Sequence, residues 1–455
     1  MSTIAAISTA PGIGGIGIVR ISGKDTFSII EKIFKPKAKK IMPKGYTMQY
    51  GNIVNPKNNQ IIDEVLVTYF VEPKSYTTEN MCEINSHGGN IVLKQILELC
   101  LENGAIIAEP GEFTKRAFLN GRLDLSQAEA VIDILNAKTE IEAGTAEKQL
   151  EGYLSSKINE IKQIGISLMS DIEASIDYPE YDVEEVTREK LEKQLNIIEE
   201  KLNELADSFE SGKLLKEGIK TAIVGKPNAG KSSLLNAMLK EERAIVTEYA
   251  GTTRDTIEEF INLQGIPLKI IDTAGIRNTD NEVEKIGIEK TKKIIKEADL
   301  VIAIFDGSKE LDKEDEEIID LIKNRTAIIV INKEDIGKPS KKTVETLNIG
   351  KPVVTISALK STGIEQINKN IIELFEMDKI KQDSAFLITN LRHKQSIEKA
   401  KENVEKAKHT LNDNMPTDVI AIEIKNVLEE LGNITGDNIT EDIIKDIFAK
   451  FCLGK

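Results

Sequence analysis

Cysteine is scarce in these 455 residues. The three present, Cys82, Cys100 and Cys452, give neither a disulfide framework nor a CxxC metal-binding spacing, which suits a reducing compartment. Net positive charge is lacking as well: 75 acidic against 60 basic side chains leave a formal charge of −15. The molecule as a whole is therefore excluded as a phosphate-backbone binder. Any nucleic-acid contact needs a local basic patch or a partner. No apolar run reaches the length needed to cross a bilayer. The opening MSTIAAISTAPGIGGIGIVR has no basic residue ahead of its apolar ones, and its glycines interrupt any apolar helix. These absences point to a cytoplasmic protein without a membrane segment, and the length predicts two to four domains.

What is present centres on Gly225 to Ser233, GKPNAGKSS. The apolar run Thr221 to Val224 before it reads as a buried strand, and Leu234 to Leu239 after it reads as a helix. A phosphate-binding loop needs that setting. Gly225 and Gly230 let the backbone curl, so that N–H groups around Asn228, Ala229 and Ser233 point at an anion. Lys231 adds a cation for the β- and γ-phosphates, and the Ser232 hydroxyl suits Mg²⁺. The helix behind contributes its positive end. A plain glycine-rich turn explains less of this.

Three later stretches decide what the loop binds. Asp272-Thr273-Ala274-Gly275 follows the apolar run Leu268 to Ile271, placing a carboxylate near a Mg²⁺ water and a free N–H at Gly275 near a γ-phosphate. Asn332-Lys333-Glu334-Asp335 follows the buried-strand pattern Ala327 to Ile331. A carboxylate at Asp335 accepts from both N–H donors of the guanine edge, whereas adenine offers the opposite pattern. Ser357-Ala358-Leu359 follows Val353 to Ile356 and can give a backbone N–H to the guanine carbonyl. Alone, the NKED tetrapeptide is equally a patch of surface charge. In this order, each at a strand's end, the four elements resemble the Ras-like GTPases and imply GTP.

Around that domain the pattern changes twice. Residues 1–118 read as mixed α+β, with strands at Ile4 to Ser8, Ile18 to Ser22 and Met81 to Ser86. A hairpin is expected from Tyr46 to Ile53 and Ile61 to Val71 across Asn55-Pro56-Lys57-Asn58-Asn59. Helices are expected at Phe27 to Phe34 and Gly89 to Glu102. The Gly12 to Gly17 cluster lacks the βαβ context of a dinucleotide fingerprint and reads as a turn where backbone approaches backbone. His87-Gly88-Gly89 reads as a loop before a helix, with His87 structural. Residues 119–218 carry helical periodicity with a break at Pro179 and its acidic neighbours, and residues 377–455 are helical again. The fold class expected is multidomain α/β: a mixed α+β N-terminal domain, a helical domain (119–218 plus 377–455), and a Ras-like P-loop GTPase domain (219–376) inserted into it.

Three stretches make the resemblance specific: PGEFTKRAFLNGRLDLSQAEA (Pro110 to Ala130), GKPNAGKSS with GTTRD, and the terminal FCLGK. Over its whole length the chain resembles the MnmE (TrmE) family of tRNA-modification GTPases. The resemblance implies a homodimer working with an FAD-containing partner of the MnmG type. That complex installs carboxymethylaminomethyl or aminomethyl groups on the wobble uridine of tRNA. The carbon comes from a tetrahydrofolate derivative, 5-formyl or methylene. An acidic chain without an evident RNA surface agrees with a partner that supplies most of the tRNA contact.

The resemblance also implies site residues. Ile276 stands where Ras-like enzymes have the water-positioning glutamine, and its side chain has no hydrogen-bonding atom. Glu284 takes the place of the family's catalytic glutamate; read by itself, it caps a helix from Val283 to Lys296. K⁺ would be held by the side chains of Asn228 and Thr252 and the carbonyls of Thr247 and Tyr249, offsetting developing phosphate charge as an arginine finger does elsewhere. Thr253 joins Ser232 at Mg²⁺. Arg254 is either a catalytic cation or a surface ion-pair residue. For the folate, Arg20, Glu83, Arg122 and Lys455 supply cations for the tail carboxylates and a carboxylate for the pterin edge. The family often has lysine at Arg122, which alters reach and geometry. Cys452 is either a thiol beside the one-carbon unit or, by default, a small buried hydrophobe. Two other classes share the nucleotide motifs. A ribosome-assembly GTPase should carry a basic appendage, and none is visible; a purely regulatory GTPase would have no one-carbon chemistry.

Overall fold

The computed structural model describes residues 1–38, 45–177, 188–241, 244–245, 259–271, 286–383, 387–413, 415–452 and 454. It divides into two compact units. One comprises Met1–Ile132, Gln149–Glu185 and Met415–Lys455; the other comprises Asp133–Lys148 and Val186–Asn414.

The first unit is built on β1 (Ile4–Ile7), β2 (Gly14–Ser22), α1 (Thr26–Ile33), β3 (Phe34–Pro36), β4 (Thr47–Val54), β5 (Ile61–Phe70), β6 (Met81–Gly88), α2 (Asn90–Glu102), β7 (Ile106–Ile107) and α3 (Glu112–Leu119). Its sheet has the order β3-β4-β5-β6-β2-β1-β7 and is antiparallel except for the β1–β7 pair. Alternation sets the faces: Val65, Val67 and Tyr69 of β5 turn inward while Leu66 stays exposed. The inward set meets Ile29, Ile30 and Ile33 of α1 and Leu93, Ile96 and Leu99 of α2 in one core. The hairpin expected across residues 55–59 is present, pairing Tyr50 with Leu66 and Thr47 with Tyr69.

Two expectations are corrected here. Gly14 to Gly17 form the start of β2, with a register shift, rather than a turn. The close approach is nevertheless real, because a Cβ on Gly88 would lie 2.5 Å from the Gly14 carbonyl and one on Gly17 would strike Leu93 at 2.7 Å. His87 and Gly88 likewise end β6, and only Gly89 is left to open α2. A glycine-rich stretch reads as a turn by propensity, but here the missing side chains let strands and helix close on one another.

The helical stretch follows as α4 (Leu125–Asn136), α5 (Glu140–Leu150), α6 (Tyr153–Asp177) and α7 (Arg188–Glu217). Pro179 lies outside the described residues. The second unit continues with β8 (Ile219–Val224), α8 (Lys231–Glu241), β9 (Ala244–Ile245), β10 (Glu259–Leu263), β11 (Ile266–Ile270), α9 (Ile286–Glu297), β12 (Leu300–Asp306), α10 (Lys313–Ile322), β13 (Ala327–Asn332), α11 (Lys341–Leu347), β14 (Val353–Thr355), α12 (Ile364–Leu374) and α13 (Met377–Asp383). The chain closes with α14 (Leu391–Asn412), α15 (Thr417–Thr435) and α16 (Glu441–Phe448). Helix α14 packs along α7, while in the first unit α15 packs along α6 and α16 on α3.

The second sheet has the order β14-β13-β12-β8-β11-β10-β9. Strands β8, β11, β12, β13 and β14 run parallel; β10 and β9 are antiparallel additions. Helices on both faces explain why β13 is buried at every position and reads as a continuous apolar run. One residue, Gly218, joins α7 to β8 at φ +77, and a Cβ there would lie 2.7 Å from the Pro267 carbonyl. Among the described residues no helix is long and apolar enough to cross a membrane.

Candidate functional site: a nucleotide loop and an arginine cluster

The loop between β8 and α8 turns back on itself through Asn228 at φ +63 and Gly230 at φ +108. Gly230 has no room for a side chain, since a Cβ would fall 2.1 Å from Asn332 Nδ2. The loop thereby offers a backbone cradle at the N-terminus of α8, the geometry that receives phosphate. Lys231 opens that helix and donates through Nζ to the carbonyls of Gly225 (2.8 Å) and Lys226 (2.9 Å). Burial pulls its pKa below the ordinary lysine value. Ser232, half-buried, and Ser233, exposed, follow in the first turn; Asn228 is exposed at the crest and Ala229 is buried.

Asn332, at the end of β13, is buried and bridges two loops. Its Nδ2 donates to Ala229 O (2.9 Å) and its Oδ1 accepts from Ala358 N (3.0 Å). Asp335 accepts through Oδ1 from Ser357 Oγ at 2.6 Å. That hydrogen bond holds its carboxyl below the usual range. The Ser357 N–H donates to Thr362 O (3.1 Å). With the Ala358 N–H on Asn332, two of the three N–H groups of the expected Ser357-Ala358-Leu359 stretch are engaged within the protein. Lys333 stands at φ +70 and reaches Asp306 Oδ2 at 2.6 Å. Asn228, Ala229, Gly230, Lys231, Ser232, Asn332, Lys333, Asp335, Ser357 and Ala358 therefore line one edge of the parallel sheet, beyond the carboxyl ends of β8, β13 and β14. The expected residues Thr247, Tyr249, Thr252, Thr253, Arg254, Asp272, Thr273, Ala274, Gly275 and Glu284 lie outside the described residues.

The first unit brings together a second set. Arg20 donates through Nε (2.9 Å) and Nη2 (2.8 Å) to Glu83 Oε1, its cross-strand partner between β2 and β6. Its Nη1 reaches Gly454 O at 3.1 Å. The guanidinium also lies 5.7 Å from the Tyr76 ring centre and 5.5 Å from that of Phe113. Arg122 faces the same Tyr76 ring at 4.7 Å and donates to Tyr76 O at 3.3 Å. So Arg20 and Arg122 flank Tyr76, Glu83 is held on Arg20, and Gly454 of the C-terminal tail lies beside them. Lys455 lies outside the described residues. Cys452 departs from the default of a buried hydrophobe: its side chain is exposed, whereas Cys82 and Cys100 are buried. Burial pushes the Cys100 thiol up to about 12.

Sequence reasoning missed several groups. Tyr76 and Phe113 supply the aromatic walls. Glu79 accepts from Ser22 (2.7 Å) and from the buried Arg116 (3.0 Å), pinning the stretch that carries Tyr76. Lys226, inside the quoted loop, pairs with Asp312 (2.6 Å) and Asp315 (2.7 Å). No local spacing announces partners this far apart in the chain.

Residues 3–122 match the family model described as "GTP-binding protein TrmE N-terminus", and residues 125–452 match the "MnmE helical domain" model. The chain is 48% identical over 454 residues to the tRNA modification GTPase MnmE of Acetivibrio thermocellus, covering 100% of this chain and 99% of that protein. It is 49% identical over 460 residues to the protein of the same name from Clostridioides difficile, again covering 100% and 99%. Among solved structures, the G domain of the T. maritima FeoB iron transporter aligns with a TM-score of 0.25 and 24% identity, over 34% of this chain and 98% of that one.

Proposed function

Because the chain belongs to the MnmE family of tRNA modification GTPases, we propose that it hydrolyses GTP to drive modification of the wobble uridine of tRNA. The reaction uses a tetrahydrofolate-derived carbon, in the cytoplasm, as a homodimer working with an MnmG-type flavoprotein. The observation that carries the reading is the Asn332 bridge, which ties the phosphate loop to the base loop at hydrogen-bond distance on both sides.

The chain's own groups have separable tasks. The loop N–H groups and Lys231 hold the β- and γ-phosphates. Asp335 orients guanine through its carboxylate, which Ser357 Oγ holds in place. Ser232 and Thr253 would hold Mg²⁺. Asn228, Thr247, Tyr249 and Thr252 would hold K⁺, which supplies positive charge where phosphate charge develops. The exposed amide of Asn228 on its left-handed backbone fits that assignment. Glu284 orients the attacking water through a second water, since Ile276 has no group to do so, and Arg254 assists from outside. In the other unit, Arg20, Arg122 and Lys455 bind folate carboxylates and Glu83 the pterin edge, with Cys452 exposed nearby. A purely regulatory GTPase would leave the Arg20–Tyr76–Arg122 cluster without a use. Division of the chain into 1–118, 119–218 with 377–455, and 219–376 follows the same reading.

The test is reconstitution of the chain with the flavin partner, tRNA and methylene-tetrahydrofolate. Modified uridine should form with GTP in potassium buffer and fail with a non-hydrolysable analogue. GTP turnover should fall when Na⁺ replaces K⁺. Modification that proceeds equally with the analogue would overturn the proposed use of hydrolysis, and equal rates in the two salts would remove the K⁺ site.

A further inference from the structure

The segment from the end of β12 into α10 carries three aspartates, and each grips a lysine of the nucleotide loops. Asp306 closes β12. Its Oδ2 meets Lys333 Nζ at 2.6 Å, while its Oδ1 accepts from Ser308 N (3.0 Å) and Ser308 Oγ (2.6 Å). Six residues on, Asp312 caps α10: Oδ1 accepts from Glu314 N and Asp315 N, and Oδ2 meets Lys226 Nζ at 2.6 Å. Asp315 returns the capping bond to Asp312 N and also meets Lys226 Nζ, at 2.7 Å. The Asp315 side chain is only 5% exposed and that of Asp306 only 12%.

These differ from ordinary surface pairs, which contribute little because both partners are mobile and solvated. Each aspartate here has its second bond to its own backbone segment, so the carboxylate is fixed before the lysine arrives. Burial works against the Lys226 charge, yet the two carboxylates more than offset it and raise its pKa. The lysines are also critically placed. Lys226 belongs to the phosphate loop, and its carbonyl is one of the two that receive Lys231 Nζ. Lys333 belongs to the base loop and holds a left-handed backbone that a lysine rarely adopts. One connecting segment thus reaches both loops, and Asn332 links the two from below.

We propose that Asp306, Asp312 and Asp315 are positioning residues of the nucleotide site, which hold the phosphate loop and the base loop in their binding geometry through Lys226 and Lys333. The inference rests on the GTP-site reading of residues 225–233 and 332–335. Without these clamps, nucleotide binding must itself order both loops, and affinity falls by that cost. The reacting groups are untouched, so turnover at saturation stays.

The experiment uses the full chain, with fluorescent mant-GDP and mant-GTP titrations and steady-state GTP hydrolysis. Asp306→Asn keeps an acceptor for Ser308 and loses the charge facing Lys333. It should weaken both nucleotides about tenfold, with kcat within about twofold of the parent. Asp312→Asn, at an exposed side chain that does not threaten folding, should weaken them about threefold, and Asp312→Asn with Asp315→Asn further. In a Lys333→Met background Asp306→Asn should cost nothing more, and in Lys226→Met the other two should cost nothing more. A merely structural aspartate would cost the same in either background. Affinities within about twofold of the parent for Asp306→Asn and Asp312→Asn, or undiminished losses in the methionine backgrounds, would overturn the proposal. A parent chain that fails to bind mant-GDP would instead overturn the GTP-site reading.

Discussion

The nucleotide loop and the Arg20 cluster are assembled in opposite ways. The first takes its groups from short contiguous stretches, each hung on the end of a parallel strand, and much of what it offers is backbone: N–H groups, carbonyls and left-handed turns. The second is made of side chains from scattered positions. Arg20 Nη1 meets a carbonyl 434 residues away in the chain, and Glu83, Tyr76, Phe113 and Arg122 come from a strand, loops and a helix. A backbone cradle depends on its glycines and on the one cation beside it, Lys231. A side-chain cluster concentrates its dependence on one or two charged groups.

Three experiments press on that contrast, in descending order of effect. Lys231→Met should cost GTP affinity at least about 100-fold, because it removes the phosphate cation. The unliganded protein should keep its melting temperature within about 3 °C, since burial already disfavours that ammonium. Folate binding, measured by calorimetry, should not move; a parallel loss would show that the two sites are not independent. Next, Arg20→Ala should weaken tetrahydrofolate binding by more than about tenfold and lower stability by roughly 2–4 kcal/mol, because Glu83 is left without its partner. GTP turnover should be unchanged, and Arg20→Lys should restore part of the binding. The smallest effect is reserved for His87, which belongs to neither site. Its Nδ1 lies 2.7 Å from Asp63 Oδ1, and that hydrogen bond raises the imidazole pKa. The pair's contribution is therefore whole below the free-imidazole value and fades as pH rises through the raised one. Asp63→Asn should return the His87 titration, read by NMR, toward about 6.5 while leaving both ligand affinities alone.

Legibility in the sequence follows the same division. The strand before NKED runs apolar from Ala327 to Ile331 because both sheet faces are covered, the one before GKPNAGKSS ends in the apolar Ala222 to Val224, and such runs are visible by eye. The role expected of Asp335 rests on the NKED spacing, and the fold places it in one loop system with Asn332, whose bridge between two loops no spacing announces. Lys226 stands in plain view inside the motif, yet its meaning depends on Asp312 and Asp315 across two helices and several strands. Arg20, Glu83 and Arg122 are legible only through family resemblance, and Tyr76, the ring that the two arginines share, is legible through neither motif nor resemblance. The Gly14 to Gly17 stretch shows the remaining limit. Propensity assigns such a run to a turn, and only the partner surfaces, Gly88 and Leu93, reveal why the glycines lie in a strand.

Gly218 has a mechanical consequence. A 30-residue rod ends there, and the strand feeding the phosphate loop starts one residue later. At about 1.5 Å per residue the rod is roughly 45 Å long. Pivoting it by about 5° at this joint sweeps its far end through about 4 Å. A small change of angle beside the phosphate loop would thus be magnified into a displacement of several ångströms at the far end of the helix.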